Sequence, residues 1–168
     1  MKKTRRFVAL LLAAVLALAL FTACGAAGAE EPQSAIGKVY EDWFVEKLNL
    51  YFLPEPVKKV DVKHSEMMAA LAKIDKDGKF KAGDGHDEGK QGTVEWYWTI
   101  LADPRPWKVS DNTTLDAFVL TPENLTKYGP VYITKEKYLN KIREYDIATR
   151  VMDGKTYVAV YLHLEDVS

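Results

Sequence analysis

Apolar and polar positions along the chain fall into two regimes. From Phe7 to Phe21 the residues are uncharged and almost wholly apolar, without any period. From Ser34 onward, apolar residues recur at helix or strand spacing, which predicts a folded domain. Ile36, Val39, Tyr40, Trp43, Phe44, Leu48 and Tyr51 form one broad stripe on a helix, with Ser34 as its cap and Pro54 beyond its end. Val60 and Val62 alternate with Asp61 and Lys63, predicting a short strand over 57–63. Ser65 is placed to cap a second helix carrying Met67, Met68, Leu71 and Ile74, which stops at the Asp77-Gly78 turn. Residues 82–92, AGDGHDEGKQG, hold four glycines and no large apolar side chain, and predict a mobile surface loop or a partly disordered one.

The clearest strand covers 93–102, with Val94, Trp96, Trp98 and Ile100 on one side and Glu95, Tyr97 and Thr99 on the other. Asp103-Pro104-Arg105-Pro106 ends it, because proline donates no ladder hydrogen bond. Leu115 to Leu120 predicts a further strand, and Thr121-Pro122 opens a short helix that Gly129 can close. Thr134 opens another helix, with Tyr138, Leu139, Ile142 and Tyr145 toward the core. Ile147 to Met152 and Lys155 to Leu164 flank Asp153-Gly154, a pair suited to the positive φ angles of a type I′ hairpin turn. The expected fold is α+β: a single domain over residues 34–168, with an antiparallel sheet, helices packed mainly on one face, and a C-terminal β-hairpin.

In the last strand Val158, Val160, Leu162 and Leu164 form one face, and Tyr157, Ala159, Tyr161 and His163 the other. The second face is too aromatic for an ordinary wet surface. It is either covered by a helix, the favoured expectation for a mid-sheet strand, or open to a ligand.

The uncharged run gains meaning from its neighbours. Lys2, Lys3, Arg5 and Arg6 precede it, and Thr22-Ala23-Cys24-Gly25 follows, which is the layout of an export signal. With the chain's single cysteine at position 24, this segment resembles the signal of bacterial lipoproteins. That resemblance covers the leader alone, and position 21, usually Leu in the class, is Phe here. It implies a signal peptide over 1–23, acyl chains on Cys24, and a tether over 24–33 reaching from the membrane to the domain. Two other fates of the leader stay open. Ala27-Gly28-Ala29 fits ordinary cleavage and release, and Phe7 to Ala29 is near the roughly 20 residues of an uncleaved spanning anchor. All three put the domain outside the cytoplasmic membrane, because the basic cluster stays inside.

Cleavage before Cys24 would leave 145 residues with 19 basic and 24 acidic side chains, a net charge of −5. That length suits one core, and an acidic domain without a Lys/Arg block argues against nucleic-acid binding. With the only cysteine in the anchor, the domain has neither a disulfide nor a thiolate nucleophile.

Candidate chemistry is sparse. A calcium loop starting at Asp75 would put Lys79, Phe80 and His86 at its fifth, sixth and twelfth positions, and one starting at Lys73 opens on an ammonium. Asp84, His86, Asp87 and Glu88 offer donors to a divalent ion, but on a glycine-rich loop that gives them little support. Gly83-x-Gly85 lacks a third glycine in step and a strand before it. There is no Gly-x-Ser-x-Gly, and two of the four serines are expected caps. No cofactor is implied.

The expected function is therefore a lipid-anchored, extracytoplasmic binding or interaction module, more plausibly not an enzyme. Its partners would be the membrane through Cys24 and a glycan, a peptide or an envelope protein. A ligand would meet Tyr157, Tyr161 and His163, with Tyr97 and Glu95, since aromatic faces suit sugars and peptides. The alternative is an envelope hydrolase or metal-dependent enzyme in which His64 or His163 meets a carboxylate within hydrogen-bond reach.

Overall fold

The computed structural model describes residues 34–49, 56–102, 109–128 and 141–165. Its elements run α1 (Ala35–Asn49), β1 (Lys58–Lys59), α2 (His64–Leu71), β2 (Lys79–Lys81), a 3₁₀ turn (Ala82–Asp84), β3 (His86–Gln91), β4 (Val94–Ile100), β5 (Thr114–Asp116), β6 (Val119–Leu120), α3 (Pro122–Tyr128), β7 (Ile142–Met152) and β8 (Lys155–Glu165). The main sheet has the order β1-β7-β8-β4-β3, and β6 also pairs with β8. Every described pairing is antiparallel except β1 with β7, while β2 and β5 form a separate two-stranded sheet. This is the expected α+β domain, built around the hairpin of β7 and β8.

The hairpin forms where the turn chemistry places it. Asp153 and Gly154 adopt φ of 49° and 73°, the left-handed pair that a type I′ turn requires. Central β8 is then buried on both faces. Its Val158, Val160, Leu162 and Leu164 join Tyr145 and Ile147 under Tyr40, Phe44 and Leu48 of α1, with Leu125 of α3 on the same side. Its Tyr157, Ala159 and Tyr161 join Trp98, Ile100 and Ala148 under Met67, Ala70 and Leu71 of α2. Two of the three described helices therefore share one face, and α2 covers the other together with Ile74 and, from β2, Phe80.

Local signals explain the helix starts. The Ser34 hydroxyl accepts from Gly37 N at 3.1 Å, and the Thr121 hydroxyl accepts from Asn124 N at 3.1 Å ahead of Pro122. Gly37 lets α1 lie against β7, since a Cβ there would stand 2.8 Å from Thr149 Cγ2. Ser65 does not cap α2. Lys63 holds the cap position without a side-chain bond, and His64, donating its N–H to the Asp61 carbonyl at 3.1 Å, begins the helix.

Four other expectations are corrected. The strand foreseen over 57–63 is the two-residue parallel β1. The apolar run 115–120 splits into β5 and β6, which serve different sheets. The glycine-rich stretch 82–92 is a 3₁₀ turn and edge strand β3, laddered to β4 from His86↔Thr99 to Gln91↔Val94. Its polar, charged composition suits an exposed edge that resists pairing with other chains. Gly89 belongs there because a Cβ would stand 2.5 Å from Trp96 Cζ2, so the indole lies across the glycine. Lastly, Ile142 and Tyr145 belong to β7 and not to a helix, while Thr134, Tyr138 and Leu139 lie outside the described residues. A bulge at the start of β7 shifts the register between Ile142↔Leu164 and Glu144↔His163. It puts residues three apart on one face, so a strand reads like a helix.

Candidate functional site

Strand register aligns side chains into rows across the face beneath α2. One row runs Trp96, His163, Glu144; the next runs Trp98, Tyr161, Asp146; a third runs Ile100, Ala159, Ala148. The two alanines leave room for Met67 and Leu71 to press onto the sheet. That seats the first turn of α2 over the second row, where His64 Nδ1 lies 2.8 Å from Asp146 Oδ2. Asp146 is only 1 % exposed, and its other oxygen accepts from Ile147 N at 2.7 Å. The His64 side chain is 33 % exposed, so one end of the pair is buried and the other meets solvent.

A parallel pair occupies the first row. His163 Nδ1 lies 2.8 Å from Glu144 Oε2, and its Nε2 is 3.8 Å from Glu165 Oε1. Beside them Lys63 Nζ sits 4.4 Å from the Trp96 ring centroid and donates to both oxygens of Glu66 at 2.8 and 2.9 Å.

Burial dominates the electrostatics of this face. It pushes the Asp146 carboxyl above its ordinary value, opposed by the hydrogen bond and charge of His64. Burial likewise raises the Tyr161 phenol, helped by the Glu144 charge. A carboxylate that holds Nδ1 of a half-exposed imidazole fixes the ring's tautomer and orientation, an arrangement able to give or take a proton at Nε2. Among the described residues, neither His64 nor His163 is hydrogen-bonded to a serine or threonine hydroxyl.

The residues expected to bind a ligand do not converge. Tyr157 and Tyr161 are 2 % and 5 % exposed and lie beneath α2, so their face is covered. Tyr97 and Glu95 require correction, because β4 pairs with β8 as Tyr97↔Leu162 and Glu95↔Leu164. That register puts both on the α1 side, opposite Tyr157, Tyr161 and His163; Glu95 there also bonds Lys90. Cys24 lies outside the described residues.

The acidic loops have structural employment. Asp75 Oδ1 accepts from the N–H groups of Asp77 and Lys79, both at 2.9 Å, and Asp84 pairs with Lys73 at 2.5 Å. The His86 ring meets the Ala82 carbonyl at 2.8 Å. No group of three or more His, Cys, Asp or Glu among the described residues is arranged to hold a metal ion. Among the same residues no helix is long and apolar enough to cross a membrane.

Sequence reading missed Glu144 and Asp146, though acids at alternate positions of a buried strand are a usable signal of inward charge. It also missed a clamp on the opposite face. Glu41, buried in α1, accepts from Tyr145 Oη at 3.2 Å and pairs with Lys59 Nζ at 2.7 Å, joining α1 to β7 and β1. Burial, then the Glu41 charge, raises the Tyr145 phenol far above its ordinary value. No protein-family model matches the chain, and no curated protein or solved structure matches it either.

Proposed function

We propose that this chain is a lipid-anchored protein of the cell envelope whose domain binds a partner without transforming it. The observation that carries the reading is the leader: Lys2, Lys3, Arg5 and Arg6, the apolar run from Phe7 to Phe21, and the chain's single cysteine after Thr22-Ala23. Covalent lipid would hold the domain at the membrane, and residues 25–33 would give it reach. The covered aromatic face moves the expected contact surface away from Tyr157 and Tyr161, onto the outer surfaces of the domain.

Thermal unfolding of the purified full chain in detergent, against glycans, cell-wall fragments and peptides, tests the binding reading. A true ligand at a hundred times its dissociation constant adds about 2.7 kcal/mol, and the midpoint should rise by roughly 5–10 °C. Chemical turnover of the compound that stabilises the protein would contradict a purely binding role.

A second reading is favoured by one specific observation, the 2.8 Å contact between half-exposed His64 and buried Asp146. In an envelope hydrolase this pair would act as general base. Hydrolysis of an ester or glycoside by the wild-type chain, lost in His64→Gln, would establish that reading.

A further inference from the structure

The two edges of the main sheet are built differently. β3 fills one of them with His86, Asp87, Glu88 and Lys90, side chains that discourage another chain from pairing there. β7 forms most of the other, and its cover by β1 stops partway along. We infer that the uncovered part of β7 is a docking edge for an extended, acid-bearing segment of a partner protein, which joins the sheet as an added strand. The inference rests on the binding reading above and names the class of partner that it takes.

Register defines the edge. Closure of the hairpin at Met152↔Lys155 makes the even positions of β7 the ones that exchange ladder hydrogen bonds with β8, so the odd positions turn their N–H and C=O groups outward. β1 serves the first of these: it pairs with Glu144 and Tyr145, and the Tyr145 carbonyl accepts from Val60 N at 2.9 Å. The chain then turns away into α2. The Ile147 N–H is taken within the strand itself, by Asp146 Oδ1 at 2.7 Å. Past that point Thr149 and Val151 present the same outward groups and have no backbone partner on that side among the described residues. An open edge of this kind is a template on which another extended chain forms ladder bonds. The stretch 148–152 gives room for about five residues of it.

The side chains along the edge decide what fits. Val151 is 50 % exposed, because α1 starts over Thr149 at Gly37 and runs away from it toward Tyr145. Arg150, on the opposite side of the sheet, is half-buried, and no acid among the described residues pairs with it. Residues directly opposite on paired strands share a face, so the incoming segment sets an acid against Arg150 and an apolar residue beside Val151. The same arginine disfavours a second copy of this chain as the occupant. A two-fold antiparallel pairing centred on Thr149, Arg150 or Val151 brings the two Arg150 positions within roughly 8 Å, like charges together on one face.

Amide hydrogen exchange of the full chain in detergent reads the edge residue by residue. In the free protein Thr149 and Val151 should exchange at least roughly tenfold faster than Ala148 and Arg150, which are bonded to β8. Equal protection of the two sets would mean that the edge is already filled, by this chain or by a second copy, and overturns the proposal. The probe is a synthetic peptide of about nine residues alternating valine with glutamate, compared with the same peptide carrying lysine in place of glutamate. The glutamate peptide at saturation should slow Thr149 and Val151 by roughly tenfold, and the lysine peptide should not. Arg150→Glu should reverse that preference. Val151→Pro, which removes an outward N–H and no ladder bond to β8, should abolish the protection at Thr149. Protection by neither peptide, or by both alike, overturns the proposal. A glycan that raises the unfolding midpoint without slowing these amides overturns it too, while leaving the binding reading in place.

Discussion

Replacing Phe44 with alanine should destabilise the domain by about 3–5 kcal/mol, or roughly 10–20 °C in the unfolding midpoint. Phe44 is 1 % exposed and lies where α1 meets the hairpin, its ring centroid 6.2 Å from Tyr40 and 5.8 Å from Tyr145. Truncation removes an aromatic ring's worth of buried surface and leaves a cavity. The neighbours cannot close it readily, because Tyr145 is tied to Glu41 and α1 is already in close approach to Thr149 through Gly37. Urea or thermal unfolding measures the effect. A midpoint within about 2 °C of wild type would show that α1 is not the cover of this face.

Met67→Ala should cost about 2–5 kcal/mol, although it lies on the opposite side of the sheet. Met67 is 0 % exposed and belongs to the cluster with Leu71, Trp98 and Tyr161. This substitution decides between the two fates of the aromatic face. A face that α2 truly closes loses core packing, whereas a face kept open for a ligand would barely register the loss of a methionine. Since the sheet separates Met67 from Phe44 and they belong to different clusters, their costs should add within about 0.5 kcal/mol in the double variant. A large departure would mean that the two faces unfold as coupled parts of one packing unit.

Legibility of the fold in the sequence followed the range over which each signal acts. The α1 stripe, the alternation of β4, the Thr121-Pro122 helix start and the Asp153-Gly154 turn are local, and each appears where its residues place it. β3 was hidden because an edge strand needs no apolar side chains; its backbone ladder to β4 carries it. The first residues of β7 were hidden by the bulge, which imitates helical spacing at Ile142 and Tyr145.

The site was less legible, because it depends on contacts distant in sequence. The two faces of β8 could be read residue by residue, and with them the prospect of a covering helix. Which of α1 and α2 covers which face could not. His64 meets Asp146 from 82 positions away, and Glu41 meets Tyr145 from 104. Grouping Tyr97 and Glu95 with Tyr157 and Tyr161 failed on register, since the strand ladder pairs the odd positions of β4 with the even positions of β8.

The lipid anchor at the centre of the proposed function depends on Cys24. Cells expressing the full chain and fed an alkyne-bearing fatty acid should yield a labelled protein in the membrane fraction, at the size expected after removal of residues 1–23. Cys24→Ala should carry no label. A wild-type chain that takes up no fatty acid, or label that persists in Cys24→Ala, would contradict the lipid anchor at Cys24.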